Sequence, residues 1–312
     1  MDGALLIQKD PGITSFGVIE VLKRHLRDTK KIKSKDLPKL GHGGTLDPFA
    51  TGLLIVLVGR GVKLARYFLG ATKGYEGWIK FGETTVPGDP TSPVTETSSN
   101  LPRDLEAIQD LATRFTRQPY LQTPPMHSAK KVNGRPLYEL AREGIEIERE
   151  PKLCHLYEFN ISDYQSPRAQ FQVKCSSGTY IRTLAQDLGR LSQSVAMLES
   201  LNRTQSGVFR NANAWNITAI LDSEQNWDQL PCWVPFDDLL KGYPSAEATA
   251  GEHQALLQGK QSVIFSILKR TIQPSEKSSE RTDDCVGIYH ANRIIAIARK
   301  VDDLWGLERV LT

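Results

Sequence analysis

The sequence predicts an α+β protein with a second, small β-rich unit at its C-terminus. Three observations carry that reading. Residues 75–81 and 169–175 alternate apolar and polar side chains with a period of two, as half-buried strands do. Apolar side chains recur at helical spacing in three stretches: Val18, Val21, Leu22 and Leu26; Leu105, Ile108, Ala112 and Phe115; and Ile181, Leu184, Ala185 and Leu188. A composition shift near 225–245 brings Trp227, Pro231, Trp233 and Pro244, and beyond it VGIY–HANR–IIAIA reads as a hairpin-like pair of strands. The expected division is residues 1–234 and a small unit at 235–312.

In chain order, residues 4–7 form a first strand, closed by a Pro11-Gly12 turn, and Thr14 or Ser15 caps the helix that follows. Residues 41–52, GHGGTLDPFATG, make a loop whose four glycines imply close backbone approach, and LLIVLV behind it is a buried strand. Residues 83–100 are polar and carry Pro87, Pro90 and Pro93, which predicts an exposed loop. Pro102 opens a helix, QTPPMHSAKKVNGRP is irregular, and LYELARE is a short helix stopped by Gly144. After the strand at 169–175 comes a Ser176-Ser177-Gly178 turn. Thr179 then caps a helix ending at Gly189, with Arg182 at its first turn. In the tail, residues 253–257 read as a helix, 262–268 as a strand and 274–284 as a mobile polar gap.

Composition removes several classes of function. With 312 residues, 39% hydrophobic and 24% charged, the chain can build a sizeable core. Its longest aliphatic run, residues 53–58, is too short to span a membrane. The N-terminus has an acid at Asp2 and no basic start before an apolar stretch, so no secretory signal is visible and a cytoplasmic protein is expected. Cys154, Cys175, Cys232 and Cys285 form no CxxC pair, so they read as reduced and mostly buried thiols rather than a zinc site. Dinucleotide, phosphate-loop, HExxH and GxSxG motifs are absent. The net charge of +3 is mild, yet residues 21–40 set eight cations (Lys23, Arg24, Arg27, Lys30, Lys31, Lys33, Lys35, Lys39) against Asp28 and Asp36. Such a run is either a solvated surface or a patch that contacts phosphates.

Asp47 stands between Leu46 and Pro48 in the glycine-rich loop, directly before a buried strand. Taken alone, an Asp before Pro is a common turn former. It is also a carboxylate held by a restricted backbone and an anchored strand, the preorganisation a nucleophile or general base needs.

Six collinear segments then resemble one family. GHGGTLDPFATGLLIVLVG is similar to the signature of the tRNA pseudouridine synthase B (TruB) family. KDPGITSF resembles its N-terminal motif, KGYEGWIKFG its tyrosine-bearing strand, and PPMHSAKKVNGRPLYELAREG its PPxxSAxKxxGxxLYxxAR block. CSSGTYIRTLAQDLG resembles its arginine-bearing block and LNRTQSG its leucine-bearing one. Together they cover roughly residues 3–210. Two departures stand out: Gln8-Lys9-Asp10 replaces Asp-Lys-Pro, with Pro11 one position late, and Gly43 follows His42 where many members carry a larger residue.

The resemblance implies a pseudouridine-synthase-like catalytic domain with a central mixed, largely antiparallel sheet flanked by helices and an RNA-binding cleft, followed by a PUA-like RNA-binding domain. It implies that uridine 55 in the T-loop of tRNA is converted to pseudouridine without a cofactor or metal, by a chain for which nothing demands more than a monomer. Asp47 matches the catalytic aspartate, and Arg182 the arginine that pairs with it; a guanidinium beside a carboxylate favours the ionised form and fixes its orientation. The base must leave its stack to be reached. Tyr75 matches the base-stacking tyrosine, Tyr180 and Leu201 match other pocket positions, and His42 matches a histidine that fills the space vacated by the base. Lys63, Lys130, Lys131, Arg203 and the basic stretch are expected to contact the RNA backbone. A non-catalytic tRNA-binding or folding protein using the same cleft is the alternative from another class; a relative working in a guide-RNA complex is a third, against which the compact tail argues.

Overall fold

The computed structural model describes residues 1–128, 130–132, 134–271 and 284–311. A ten-stranded mixed sheet organises the first three quarters of the chain. Its main strands are β1 (Gly3–Lys9), β2 (Leu40–His42), β3 (Thr51–Val58), β4 (Lys73–Phe81), β5 (Leu156–Gln165), β6 (Arg168–Cys175) and β7 (Ala196–Ser206). In space they run β5-β6-β4-β7-β3-β1, with β2 against β3 and the short strand Trp215–Asn216 beyond β1. Pairing is antiparallel except where β7 meets β3 and β1 meets Trp215–Asn216.

The sheet forms because its strands carry the period that buries one face. In β6, Ala169, Phe171, Val173 and Cys175 are buried while Gln170 and Gln172 are exposed. β3 is buried along nearly its whole length, consistent with a central strand covered on both faces. Helix α1 (Ser15–Asp28) is capped by the Thr14 hydroxyl, which accepts from the Gly17 amide at 2.8 Å, and buries Val18, Ile19, Leu22 and Leu26. The short α2 (Ala65–Gly70) follows β3. Helix α3 (Leu105–Arg117) is capped by Asp104 rather than opened by Pro102, and lies against β5. The short α4 (Leu137–Arg142) ends before Gly144, whose φ of +74° is one that glycine tolerates best. Helix α5 (Ile181–Leu191) lies against β7, and α6 (Ile217–Asp222) follows near α1.

The C-terminal part carries α7 (Ala250–Leu257), α8 (Ser262–Thr271) and a four-stranded sheet. Its strands are β8 (Ser245–Glu247), β9 (Cys285–His290), β10 (Arg293–Val301) and β11 (Leu304–Val310), in that spatial order. One side of this sheet packs with α7 and α8 around Leu256, Ile264, Ile267, Val286 and Ile288. From the other side Cys285, Ile294 and Ile297, with Leu311 just past β11, join the core of the large sheet. All four cysteines are buried and no disulfide joins them. No helix among the described residues is long and apolar enough to cross a membrane.

Besides the start of α3, four sequence expectations are corrected here. Residues 262–268 are helical: Ile264, Ile267 and Leu268 face inward at helical spacing while Phe265 is exposed, and a short apolar run does not distinguish that from a strand. Thr179 is not the cap of α5; its hydroxyl donates to Ser176 O at 2.9 Å, and Tyr180 occupies the cap position without a side-chain cap bond. Gly189 does not stop that helix. A Cβ there would meet the Ala196 backbone amide at 2.6 Å, so the glycine permits close packing against β7. Residues 83–100 are not simply an exposed loop: Glu83–Thr85 pairs with Val94–Thr97, and Thr85 and Asp89 are buried between them. Of the expected mobile gap, residues 274–283 lie outside the described residues.

Phe171 is fully buried at the centre of β6 and edge-on to Phe159. Phe171→Ala is expected to lower unfolding free energy by about 3–5 kcal/mol, read by urea titration; a loss below about 1 kcal/mol would contradict this packing.

Candidate active site

The glycine-rich loop between β2 and β3 is pinned residue by residue. Gly43 donates to Ile55 O at 2.8 Å, and a Cβ at Gly43 would approach Phe68 Cβ to 2.7 Å, so a larger residue has no room here. The Ser15 hydroxyl accepts from the Leu46 amide at 2.8 Å and returns a bond to Leu46 O at 3.3 Å, tying the loop to the start of α1. Pro48 O accepts from the Gly12 amide at 2.8 Å and from Lys9 Nζ at 3.2 Å. What is left to move is the Asp47 side chain, and it is held too. Arg182 Nε donates to Asp47 Oδ2 at 2.9 Å and Nη2 to Oδ1 at 3.1 Å, a two-point pair.

Arg182 is only 3% exposed, and its guanidinium gathers two further segments. Nη1 donates to Pro87 O at 2.8 Å, Nη2 to His127 O at 2.7 Å, and Asp89 Oδ2 lies 3.6 Å from Nη1. The Asp47 side chain, by contrast, remains 33% exposed. A fixed, partly open carboxylate backed by a buried cation can present an anionic oxygen to a bound molecule without first reorganising. The start of α5 is clamped by Gln122, which accepts from the Tyr180 amide at 2.7 Å and donates to Tyr180 O at 2.9 Å.

Tyr75, on β4, is half-buried and pairs in register with Arg203 on β7 and Val173 on β6. Burial raises its phenol to about 12, while the neighbouring Arg203 guanidinium pulls the other way and Asp47 adds to the rise. Leu201 is buried on β7 opposite Gly77. His42 ends β2 with Nδ1 buried and without a hydrogen-bond partner; burial, and then Arg203, lowers its pKa. A groove of about 1220 Å³ runs from Tyr75 and Glu76 past Lys174 and Arg210 to Arg66 and to Arg299 of the small sheet; Tyr75 lines it, whereas Asp47, Arg182, His42, Tyr180 and Leu201 do not.

The expected RNA-backbone residues divide. Lys63 and Lys131 are exposed, Lys130 is half-buried, and most of the basic stretch at 23–39 is exposed at the end of α1 and beyond. Arg203 is a correction: it is 2% exposed and its guanidinium is spent on backbone carbonyls, so it offers nothing to a phosphate outside. Sequence reasoning also missed groups around the loop. Asp89 lay in a segment read as exposed, and Gln122 in one read as irregular. Lys9 was noted only for its motif, and it donates to Asp10 O and Ile13 O at 2.8 Å as well as to Pro48 O. Lys73 donates to Phe68 O at 2.9 Å and Ala71 O at 2.6 Å.

Burial pulls Lys9 down to about 8 and Lys73 to about 7, and the Arg203 charge pushes both the same way. A lysine whose folded pKa lies below its unfolded value is protonated more readily when unfolded. Stability therefore rises with pH between the two values, from about 7 for Lys73 toward 10.5. Urea titrations at pH 7, 8 and 9 are expected to show rising stability in the parent protein and a flatter profile in Lys73→Met. A Lys73→Met profile as steep as the parent's would contradict the lowered proton affinity of Lys73.

Residues 29–181 match the family model for the TruB family pseudouridylate synthase N-terminal domain. The tRNA pseudouridine synthase B of Chromohalobacter salexigens is 38% identical over 264 residues, covering 85% of this chain and 82% of the relative. That of Bordetella avium is 40% identical over 224 residues, covering 70% and 87%. Among solved structures, the crystal structure of a Cbf5-Nop10-Gar1 complex superposes with a TM-score of 0.70 at 20% identity, over 99% of this chain and 84% of that one.

Proposed function

The chain belongs to the TruB family of pseudouridylate synthases, and we propose from that premise that its target is uridine 55 in the tRNA T-loop and that Asp47 is its catalytic carboxylate. It is an enzyme that isomerises uridine to pseudouridine in tRNA. The base is detached from its ribose, turned and reattached through carbon, so no atom is gained or lost and no redox partner or phosphate donor is required.

The observation that supports the site assignment is the two-point Arg182–Asp47 pair on a loop whose backbone is pinned on both sides of the carboxylate. Arg182 keeps the Asp47 oxygens aimed at the open side, where the glycosidic bond of an extruded nucleotide is brought. Extrusion costs a few kcal/mol of stacking. Tyr75 repays part of it by stacking on the base, Leu201 and Tyr180 complete the pocket, and His42 takes up the space the base leaves. Residues 235–312 act as a PUA-like RNA-binding unit, and the groove from Tyr75 to Arg299 receives part of the RNA, while Lys63, Lys130, Lys131 and the basic stretch at 23–39, which lie outside that groove, contact the RNA backbone elsewhere. The protein works as a cytoplasmic monomer.

Asp47→Asn is expected to abolish pseudouridine formation in a T-loop stem transcript while filter binding of the same RNA stays within a few-fold; normal turnover by this variant would remove Asp47 from the mechanism. Tyr75→Phe is expected to lose less activity than Tyr75→Leu. The opposite ranking, with the Phe variant nearly inactive, would place the phenol in proton transfer instead of stacking.

A further inference from the structure

We propose that Arg203 is a positioning residue of the isomerisation: from inside the sheet, its single guanidinium registers the Asp47 loop against the ring of Tyr75. The inference rests on the roles given above to Asp47 and Tyr75 and adds the group that sets their spacing.

The placement begins with the backbone. β7 lies between β4 and β3, and at one level across these strands Arg203 pairs with Tyr75 on one side and with Gly52 on the other. The approach to β3 is close: a Cβ on Gly52, whose φ is +101°, would lie 2.5 Å from Arg203 N and 2.4 Å from Arg203 O. Glycine at 52 is therefore what lets the two strands meet at the foot of the loop.

The side chain then closes the loop from beneath. Arg203 Nε donates to Leu53 O at 2.7 Å, Nη2 to Gly44 O at 3.1 Å and Nη1 to Thr45 O at 3.2 Å. Leu53 follows Asp47 in the chain, and Gly44 and Thr45 precede it. One planar fork thus holds both limbs of the loop at fixed separation. At Gly44 a Cβ would stand 3.6 Å from Nη1, an ordinary contact, and it is the φ of +142° that calls for glycine there. Arg203 also stands directly across from Tyr75 on β4, and its charge pulls the phenol's pKa down against the effect of burial. Loop and stacking ring are therefore referred to one rigid group with a planar set of donors.

Freedom at residues 44 and 45 would carry the Asp47 carboxylate away from Arg182 and from the reacting bond, and reaction rates respond steeply to misplacement on that scale. Because Arg203 is 2% exposed, the effect falls on the chemical step and leaves RNA affinity untouched. An ammonium is a poor substitute: it is a compact point charge, without the flat fork that reaches three carbonyls at once.

The test compares Arg203→Lys, Arg203→Met and Asp47→Asn with the parent full chain. Single-turnover pseudouridine formation is measured with enzyme in excess over a tRNA transcript, alongside filter-binding Kd and thermal melting. Arg203→Lys keeps a cation in the core and decides the matter if Arg203→Met does not fold. The expected result for Arg203→Lys is a single-turnover rate lowered about tenfold or more, with Kd within threefold of the parent and a cooperative melt retained. Arg203→Met, where folded, is expected to fall further. A parental rate in Arg203→Lys overturns the inference, as does a loss confined to Kd, or a lowered melting temperature with the rate unchanged. Turnover by Asp47→Asn would instead overturn the reading of the site itself; an inactive Asp47→Asn beside a fully active Arg203→Lys removes only the role given to Arg203.

Discussion

The two hydrogen bonds between Arg182 and Asp47 are the constraint around which the fold is arranged. Taking a guanidinium out of water costs several kcal/mol unless its donors are satisfied and its charge is met. Here the two carboxylates of Asp47 and Asp89 meet the charge, and the carbonyls of Pro87 and His127 take up other donors. To supply those partners, the hairpin around residue 89, the irregular segment around 127 and the glycine-rich loop must all converge on the first turn of α5. Residues 47 and 182 stand 135 positions apart in sequence, so the ion pair exists only when the large sheet is assembled.

Beneath the loop the chemistry is of another kind. A turn of backbone folded inward exposes carbonyls that no ladder can satisfy, and each needs a donor. Lys9, Arg203 and the Ser15 hydroxyl supply them for the loop, and Lys73 does the same for the end of α2. The interior below the carboxylate is therefore rich in long-armed donors although the surrounding core is aliphatic. The lysines meet part of the cost by losing proton affinity, while each arginine's planar fork spreads its donors over several acceptors.

Much of the scaffold was legible in the sequence because its signals are local. The two-residue period of β4 and β6 and the stripes of α1, α3 and α5 describe one face of one element, so they survive without knowledge of the rest. The stretch 262–268 was ambiguous because seven residues are too few to separate the two periods. Asp47 announced itself by glycines and proline, but that Arg182 would reach it came from the resemblance between motifs and not from spacing. Asp89, Gln122, Lys9 and Lys73 left almost no trace, because their partners are mostly backbone atoms of distant segments, which no side-chain pattern records. Arg203 was placed on the RNA for a related reason: an arginine in a strand with polar neighbours at 202, 204 and 205 looks like surface, and only its three carbonyl partners show otherwise.

Cys285, Ile294, Ile297 and Leu311 give the small sheet a share in the interior of the large one. Ile294 N also bonds to Asp237 Oδ1 at 2.9 Å, within the segment that joins the two. The tail is for that reason no detachable appendage. A chain severed after residue 234 would uncover greasy surface on both fragments at once, leaving each short of part of its own interior. Any shuffling of this module between proteins would have to carry the seam along with it.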